Sequence, residues 1–395
     1  MSEGEGAGIA RARGGGRTFE AALLHGGVTI RPRRPVTTFP RGRPAPEPEA
    51  GAPIYPSHGT SRSLAALVVA LATSLAAADA APDSGAGGDY WDLVARFDSG
   101  HLLVAMTGVG NMGWGETNAA AVGFVIDPDG SAHRFSRTDP DGPQHLSKDG
   151  RRLDLRTIVL DRSAPLWRFA VGKQEIKLDL SIQSDAGAAR PASDLAPRCP
   201  FDVLETSAPA SGTLWRQGMA EALPLRGQIA VVHRAPRSLE ADCLVRRFEF
   251  FALQPELGLY FTELVTQDGK RLRWMATSSG GRITYQGVPT SAELQWREDA
   301  PGYPQPARLR LGAPPLSARV EIAEPAMTYD PTERLSAALR LAVSLRTRPL
   351  LSASPARFEL TLGDGRQLAG TGVVRVSYTN PLSARHRDPQ LAGGG

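Results

Sequence analysis

The chain has 395 residues, enough for two domains of ordinary size. Its 42 glycines and 32 prolines, with 41% apolar residues, favour strands and turns over a helical bundle. The net charge of +4 invites a nucleic-acid reading, but residues 1–80 hold nine of the 45 Lys/Arg and only six of the 41 Asp/Glu, leaving 36 against 35. That remainder contains no basic run interleaved with aromatics, so nucleic acid is not an expected partner.

Residues 1–60 are rich in Gly, Pro and Arg, as in Arg31–Pro35, and have too few apolar residues to build a core. They read as disordered, or as an upstream stretch outside the natural translation product. Arg62, the apolar run Leu64–Ala78 and the step Ala78-Asp79-Ala80 follow the logic of a signal peptide over 61–80. The run is shorter than the roughly 20 residues that a membrane span needs. A cleaved leader implies a secreted or periplasmic protein starting near Ala81 with no stable membrane span; an uncleaved anchor is the alternative. Cys199 and Cys243 can pair in an oxidising compartment or stand as two separate buried residues. No Cys/His spacing suggests a metal, and no cofactor is expected.

From Asp89 onward, short apolar or alternating runs are broken by glycine turns. Asp129-Gly130, Asp149-Gly150, Asp268-Gly269 and Asp364-Gly365 suit the positive φ of tight hairpins, and Gly280-Gly281 adds another turn before Arg282–Gln286. In chain order the expected strands are Tyr90–Phe97, Leu102–Thr107, Ala121–Ile126, Ile158–Leu160, Trp167–Val171, Ile176–Ile182, Gly227–His233 and Leu244–Ala252. They continue with Leu259–Thr266, Leu272–Thr277, Ala292–Trp296, Arg308–Leu311, Arg319–Ile322, Phe358–Leu362 and Gly372–Tyr378. Gly187–Pro200 reads as a long loop. One helix is expected: Asp330 as cap, Pro331 and Glu333 in its first turn, then Leu335, Leu339 and Ala342 at helical spacing. This pattern describes an all-β protein of two antiparallel sheets or barrels, dividing near Ala235-Pro236.

Gly108-Val-Gly110-Asn-Met-Gly113 copies a dinucleotide fingerprint, with Asp127 downstream. The glycines of that motif must open a helix, and the ten residues between Gly113 and Phe124 leave no room for one. A hairpin loop is the expected structure.

The segments Tyr90–Ala105, Ala119–Gly130, Gly227–His233, Val245–Leu253 and Gly370–Tyr378 together resemble the lipocalin-like superfamily of carotenoid 1,2-hydratase (hydroxyneurosporene synthase) and AttH-like proteins. The resemblance covers roughly Asp89–Leu382. It implies two consecutive lipocalin-like antiparallel β-barrel domains, 89–235 and 236–382, followed by a disordered tail at 383–395. It also implies a greasy cavity or inter-domain pocket for a hydrophobic molecule such as an isoprenoid, a polyketide or a lipid-like compound. In the hydratase, a histidine strand early in the second half and a Trp/Asp-rich strand after it supply acid–base groups. His233 matches the first loosely, whereas Arg246-Arg247-Phe248-Glu249 lacks the tryptophans and aspartate of the second.

The expected function is therefore an exported lipocalin-like protein that binds a hydrophobic small molecule. One alternative is a hydratase, isomerase or cyclase in which His233 and Glu249 act as general acid and base. The other is a cell-envelope interaction protein that uses its outer surface. Trp91, Trp114, Trp274 and Glu263 are the candidate ligand-binding residues, since indoles suit an apolar ligand and a carboxyl inside a barrel can orient it. The same residues also suit ordinary roles, His233 at a strand end, the carboxyls facing solvent and the indoles as barrel plugs.

Overall fold

The computed structural model describes residues 87–379, apart from 111–116, 141, 185–186, 193–196, 239, 298–302, 315, 335–336, 338–339 and 342–348. The upstream segment 1–60, the expected leader 61–80, Trp114, Gly113 and the tail 383–395 lie outside the described residues.

The protein is all-β, with two curled antiparallel ten-strand sheets. The first comprises β1 (Gly88–Phe97), β2 (Leu102–Gly110), β3 (Asn118–Ile126), β4 (Ala132–Asp139), β5 (Arg152–Asp154), β6 (Ile158–Asp161), β7 (Leu166–Gly172), β8 (Ile176–Gln183), β9 (Phe201–Arg216) and β10 (Leu223–Arg234). After a short helix α1 (Glu240–Cys243), the second comprises β11 (Leu244–Leu253), β12 (Gly258–Thr266), β13 (Arg271–Ser279), β14 (Arg282–Gly287), β15 (Ser291–Arg297), β16 (Gln305–Ala313), β17 (Leu316–Ile322), β18 (Met327–Tyr329), β19 (Leu350–Leu362) and β20 (Gln367–Tyr378). Each is an up-and-down meander whose first strand pairs with its last, β1 with β10 and β11 with β20. In both, the hydrogen-bonded path opens after the fourth strand, between β4 and β5 and between β14 and β15. These are two lipocalin-like barrels in tandem, the second departing from the first where β17 pairs directly with β19 and β18 joins β19 off that path.

Every expected strand falls within an observed one. Glycines 130, 150, 269 and 365 all adopt positive φ at their turns, as the Asp-Gly pairs require. The glycine motif at Gly108 is a hairpin: β2 pairs with β3 from Gly110 opposite Asn118 to Leu102 opposite Ile126. Strands β4, β5, β9 and β18 were not expected. The expected helix after Asp330 opens with a 3-10 turn, Pro331–Arg334, with the Asp330 carboxylate accepting from the Thr332 amide at 2.7 Å, and residues 337, 340 and 341 are helical. Leu335, Leu339 and Ala342, which carried its helical spacing, lie outside the described residues.

Alternation along the closing strands sorts their side chains into three layers. Trp91, Leu93, Ala95 and Phe97 of β1 fill the first barrel with Phe135, Phe169 and Leu180. Phe248, Phe250 and Ala252 of β11 fill the second with Phe261 and Phe358. The opposite faces meet in a third layer between the sheets, where Val94, Phe201 and Val232 pack on Phe251, Tyr260 and Trp274. All ten residues of β11 are buried because both of its faces are covered. At Gly258 the sheets approach too closely for a side chain: a Cβ there would meet Ser207 Cβ at 2.6 Å and Thr206 Oγ1 at 2.7 Å of the first sheet, and Ser278 Oγ of its own at 2.8 Å.

The layer between the sheets also holds four charges. The Arg234 guanidinium donates to both Asp92 and Glu249. Arg375 donates through Nη2 to Asp92 at 2.6 Å and through Nε to Glu249 at 2.8 Å, and the Tyr260 hydroxyl donates to Glu249 at 2.7 Å. Glu249 and Arg375 are direct cross-strand partners, and Asp92 lies opposite Val232, two residues before Arg234. Burial alone would raise both carboxyls, but Arg375 and Arg234 outweigh it, holding Asp92 well below the carboxylate range and Glu249 at about 2. Burial and the contact with Glu249 push the Tyr260 hydroxyl up, so it stays protonated as a donor.

Cys199 and Cys243 form a disulfide, with Cα atoms 6.4 Å apart. It joins the segment before β9 to the end of α1, and so ties the first barrel to the entry of the second.

Two predictions follow from this framework. Because the quartet's carboxyls titrate lower folded than unfolded, their stabilisation is complete above about pH 4.5 and is lost as pH falls toward about 2. Glu249→Gln leaves two buried guanidinium groups sharing one carboxylate, Asp92, and should cost about 3–5 kcal/mol in urea unfolding at pH 7, with a shallower loss of stability in acid. Cys243→Ser, which opens a loop of sequence separation 44, should lower unfolding free energy by up to ~4 kcal/mol. Equal midpoints for wild type and Cys243→Ser would show that the bridge constrains nothing.

Candidate functional site

The expected site residues are distributed over the three layers. Trp91 and His233 face into the first barrel, Glu263 faces into the second, and Glu249 and Trp274 lie between the two. His233 and Glu249 are therefore not brought into one cavity. Neighbouring Arg234 points across to Glu249, and alternation turns His233 to the other face of β10. Glu249 is held by two arginines and a tyrosine, an arrangement that fixes it as an anion inside the fold.

Glu263 has a similar fate inside the second barrel. Its carboxylate accepts from Arg246 Nη2 at 2.6 Å and from Arg273 Nε at 2.8 Å, while the Arg246 guanidinium lies 4.1 Å from the Trp296 ring centroid. Trp274 packs edge-on against Phe201 and tilted against Tyr260, as part of the contact between barrels.

The end of the first barrel is different. Trp91 and His233 are cross-strand partners on β1 and β10, and their rings stack with centroids 5.2 Å apart. His233 Nε2 contacts the Asp89 carboxylate, and its Nδ1 lies 3.9 Å from Asp202. The Arg162 guanidinium lies 4.4 Å from the Trp91 ring centroid and 5.8 Å from that of Trp167. Arg162 belongs to the turn between β6 and β7, where the Asp161 carboxylate accepts from the Ser163 amide at 3.0 Å. Beside it is an open recess of about 390 Å³ lined by Arg151, Arg162, Ser163, Ala164, Pro165 and Trp167. This volume lies within the range of small-molecule sites, and the lining, open to solvent, mixes two guanidinium groups with Trp167, Pro165 and Ala164.

Sequence reasoning singled out Trp91 but missed Arg162 and Trp167 as its companions. Their signal is weak, because a turn arginine acquires meaning only when folding places it over an indole 71 positions earlier in the chain. Among the described residues no group of three or more His, Cys, Asp or Glu side chains is placed to hold a metal, and no helix is long and apolar enough to cross a membrane.

Trp91 and Trp167 should separate cleanly on mutation. Trp91 is 1% exposed and packed in the barrel core, so Trp91→Ala should cost about 3–5 kcal/mol. Trp167 is only partly buried, so Trp167→Ala should cost about half that or less, as read by urea unfolding. Equal costs would show that Trp167 is as much a core residue as Trp91.

No protein-family model matches the chain, and no curated protein matches its sequence. Solved structures do match in fold. A protein assigned as AttH (NE1406) from Nitrosomonas europaea is similar with a TM-score of 0.57 at 12% identity, over 75% of this chain and 94% of that one. CghA in a structure with Sch210972 gives 0.55 at 12% identity, and CghA in a second structure gives 0.55 at 13%, each over 75% of this chain and 89% of that one. The expected resemblance thus holds at the level of architecture: this chain has the lipocalin-like two-barrel fold of the AttH and CghA structures.

Proposed function

We propose that the protein is exported and binds a hydrophobic small molecule, an isoprenoid, a polyketide or a lipid-like compound, without consuming it. The recess at the end of the first barrel carries this reading, because it offers Trp167, Pro165 and Ala164 as an apolar wall. The fold is in keeping with it, since CghA, which shares this architecture, has a structure with Sch210972. Binding without turnover is favoured over acid–base catalysis because His233 and Glu249 face different layers, and the Glu249 carboxylate is engaged by Arg234, Arg375 and Tyr260. Use as an envelope interaction surface has less support: the large exposed apolar residues Leu166, Val288 and Leu341 stand on separate elements among the described residues. Export is supported by the leader pattern of Arg62–Ala80 and by a Cys199–Cys243 bridge, which suits an oxidising compartment.

Native mass spectrometry of the protein purified from its own host tests both parts. The expected spectrum shows a chain beginning near Ala81 and carrying an apolar adduct that is lost on denaturation and diminished in Trp167→Ala. A reproducibly empty protein would remove the ligand, and a chain retaining residues 61–80 would remove cleavage by a signal peptidase.

A further inference from the structure

Arg162 is a group at the recess that apolar ligand binding leaves unexplained. Its Nη2 donates to the Gly150 carbonyl at 2.6 Å, and its Nε is buried without a hydrogen-bond partner. The buried arginines of the other layers behave differently. Arg234 and Arg375 share Asp92 and Glu249, and Arg246 meets Glu263. Among the described residues no carboxylate pairs with Arg162, and Asp89 and Asp149 act on it only through space. Burial lowers its pKa, with Arg151 adding to the effect and the two aspartates opposing it, yet a guanidinium remains charged at any physiological pH. A half-buried cation resting on an indole face therefore sits beside an open recess without a counter-ion.

Arg151 lines the same recess, so two guanidinium groups face a volume whose other wall is Ala164, Pro165 and Trp167. A planar fork of N–H donors matches a carboxylate, and the adjoining indole and proline match an alkyl or polyene tail. We infer that the recess takes an apolar molecule ending in a carboxylate, with its head on Arg162 and Arg151 and its tail along Trp167 and Pro165. This rests on the hydrophobic-ligand reading and names the chemical class within it. It differs from a purely structural role for Arg162, in which the guanidinium only fastens the Gly150 turn to Trp91. That role predicts no preference between an acid and the matching alcohol.

Decanoate and 1-decanol titrated into the mature chain, followed by tryptophan fluorescence and calorimetry, distinguish these cases. At pH 7 and low salt decanoate should bind about tenfold more tightly than the alcohol, in line with a hydrogen-bonded charge contact. The preference should shrink as salt is raised, fall in part in Arg151→Gln, and vanish in Arg162→Gln, while Trp167→Ala should weaken both ligands alike. Should Arg162→Gln fail to fold by near-ultraviolet dichroism, Arg151→Gln and the salt dependence carry the test. Equal binding of acid and alcohol overturns the carboxylate assignment and leaves hydrophobic binding standing. Binding of neither overturns both, and an acid preference that survives in Arg162→Gln places the anion elsewhere and overturns this site.

Discussion

The buried quartet of Asp92, Arg234, Glu249 and Arg375 is the constraint on which the arrangement of the two barrels depends. Each sheet contributes one acid and one base, so the layer is neutral, and each charge is hydrogen-bonded across the gap. Such a quartet is a weak source of net stability, because desolvating four charges offsets most of their attraction. Its effect is directional. A slip of β11 by one residue would replace Glu249 at the gap by Phe248 or Phe250 and leave Arg234 and Arg375 sharing the single carboxylate of Asp92. Apolar packing of Phe201, Phe251, Tyr260 and Trp274 tolerates small shifts more readily, so the charges set the register that the aromatics then fill.

The quartet lies where it does because of topology. In both sheets the strands that meet to complete the meander are the first and the last, and these face the other barrel together with neighbours such as β9, β12 and β13. The disulfide and the short helix before β11 hold the chain crossing beside the same strands. Arg247 reaches Glu240 of that helix at 2.7 Å, and Tyr90 of β1 donates to the same carboxylate at 3.2 Å. The inter-domain space that the family resemblance offers as a pocket is, along these strands, occupied by side chains. The recess lies instead on the turn between β6 and β7, where its Arg162 rests on Trp91 of β1 from the inner face of the first barrel.

Strands were legible wherever large apolar residues alternate or run together, as in Ile176–Ile182 and Leu244–Ala252. Strand β9 was not, although it is the longest of its sheet at 16 residues. Its middle, Ala208-Pro209-Ala210-Ser211-Gly212, has small residues where a sequence pattern looks for valine or isoleucine. The structure supplies the reason at Gly212, where any Cβ would collide with the carbonyl oxygen of Asp179 on β8. The quartet had a signal that went unread. Asp92 sits in Trp91-Asp92-Leu93-Val94 and Arg375 in Val374-Arg375-Val376, charges inside runs too apolar for a solvent-facing strand. Glu249 drew notice for that reason, but its two arginine partners are 15 and 126 residues away, a pairing that one sequence does not display.

The tryptophans of the described residues serve different physical roles. Trp274 joins the barrels, Trp296 covers Arg246 inside the second, and Trp215 stands beside Lys177 on the first at 5.1 Å. Trp91 is core, and Trp167 alone of these five lines the recess. An indole is therefore no guide to a ligand site in this protein, because burying a large flat ring serves sheet contact and cation shielding as well. What separates the recess from the other aromatic clusters is charge balance. Elsewhere the buried guanidinium groups find carboxylates within the fold, whereas Arg162 finds an indole and a carbonyl oxygen and borders open space. A cation left in that condition is costly to bury. An anion arriving from solution would be bound most strongly there, since it would complete a contact that the other buried arginines already make within the protein.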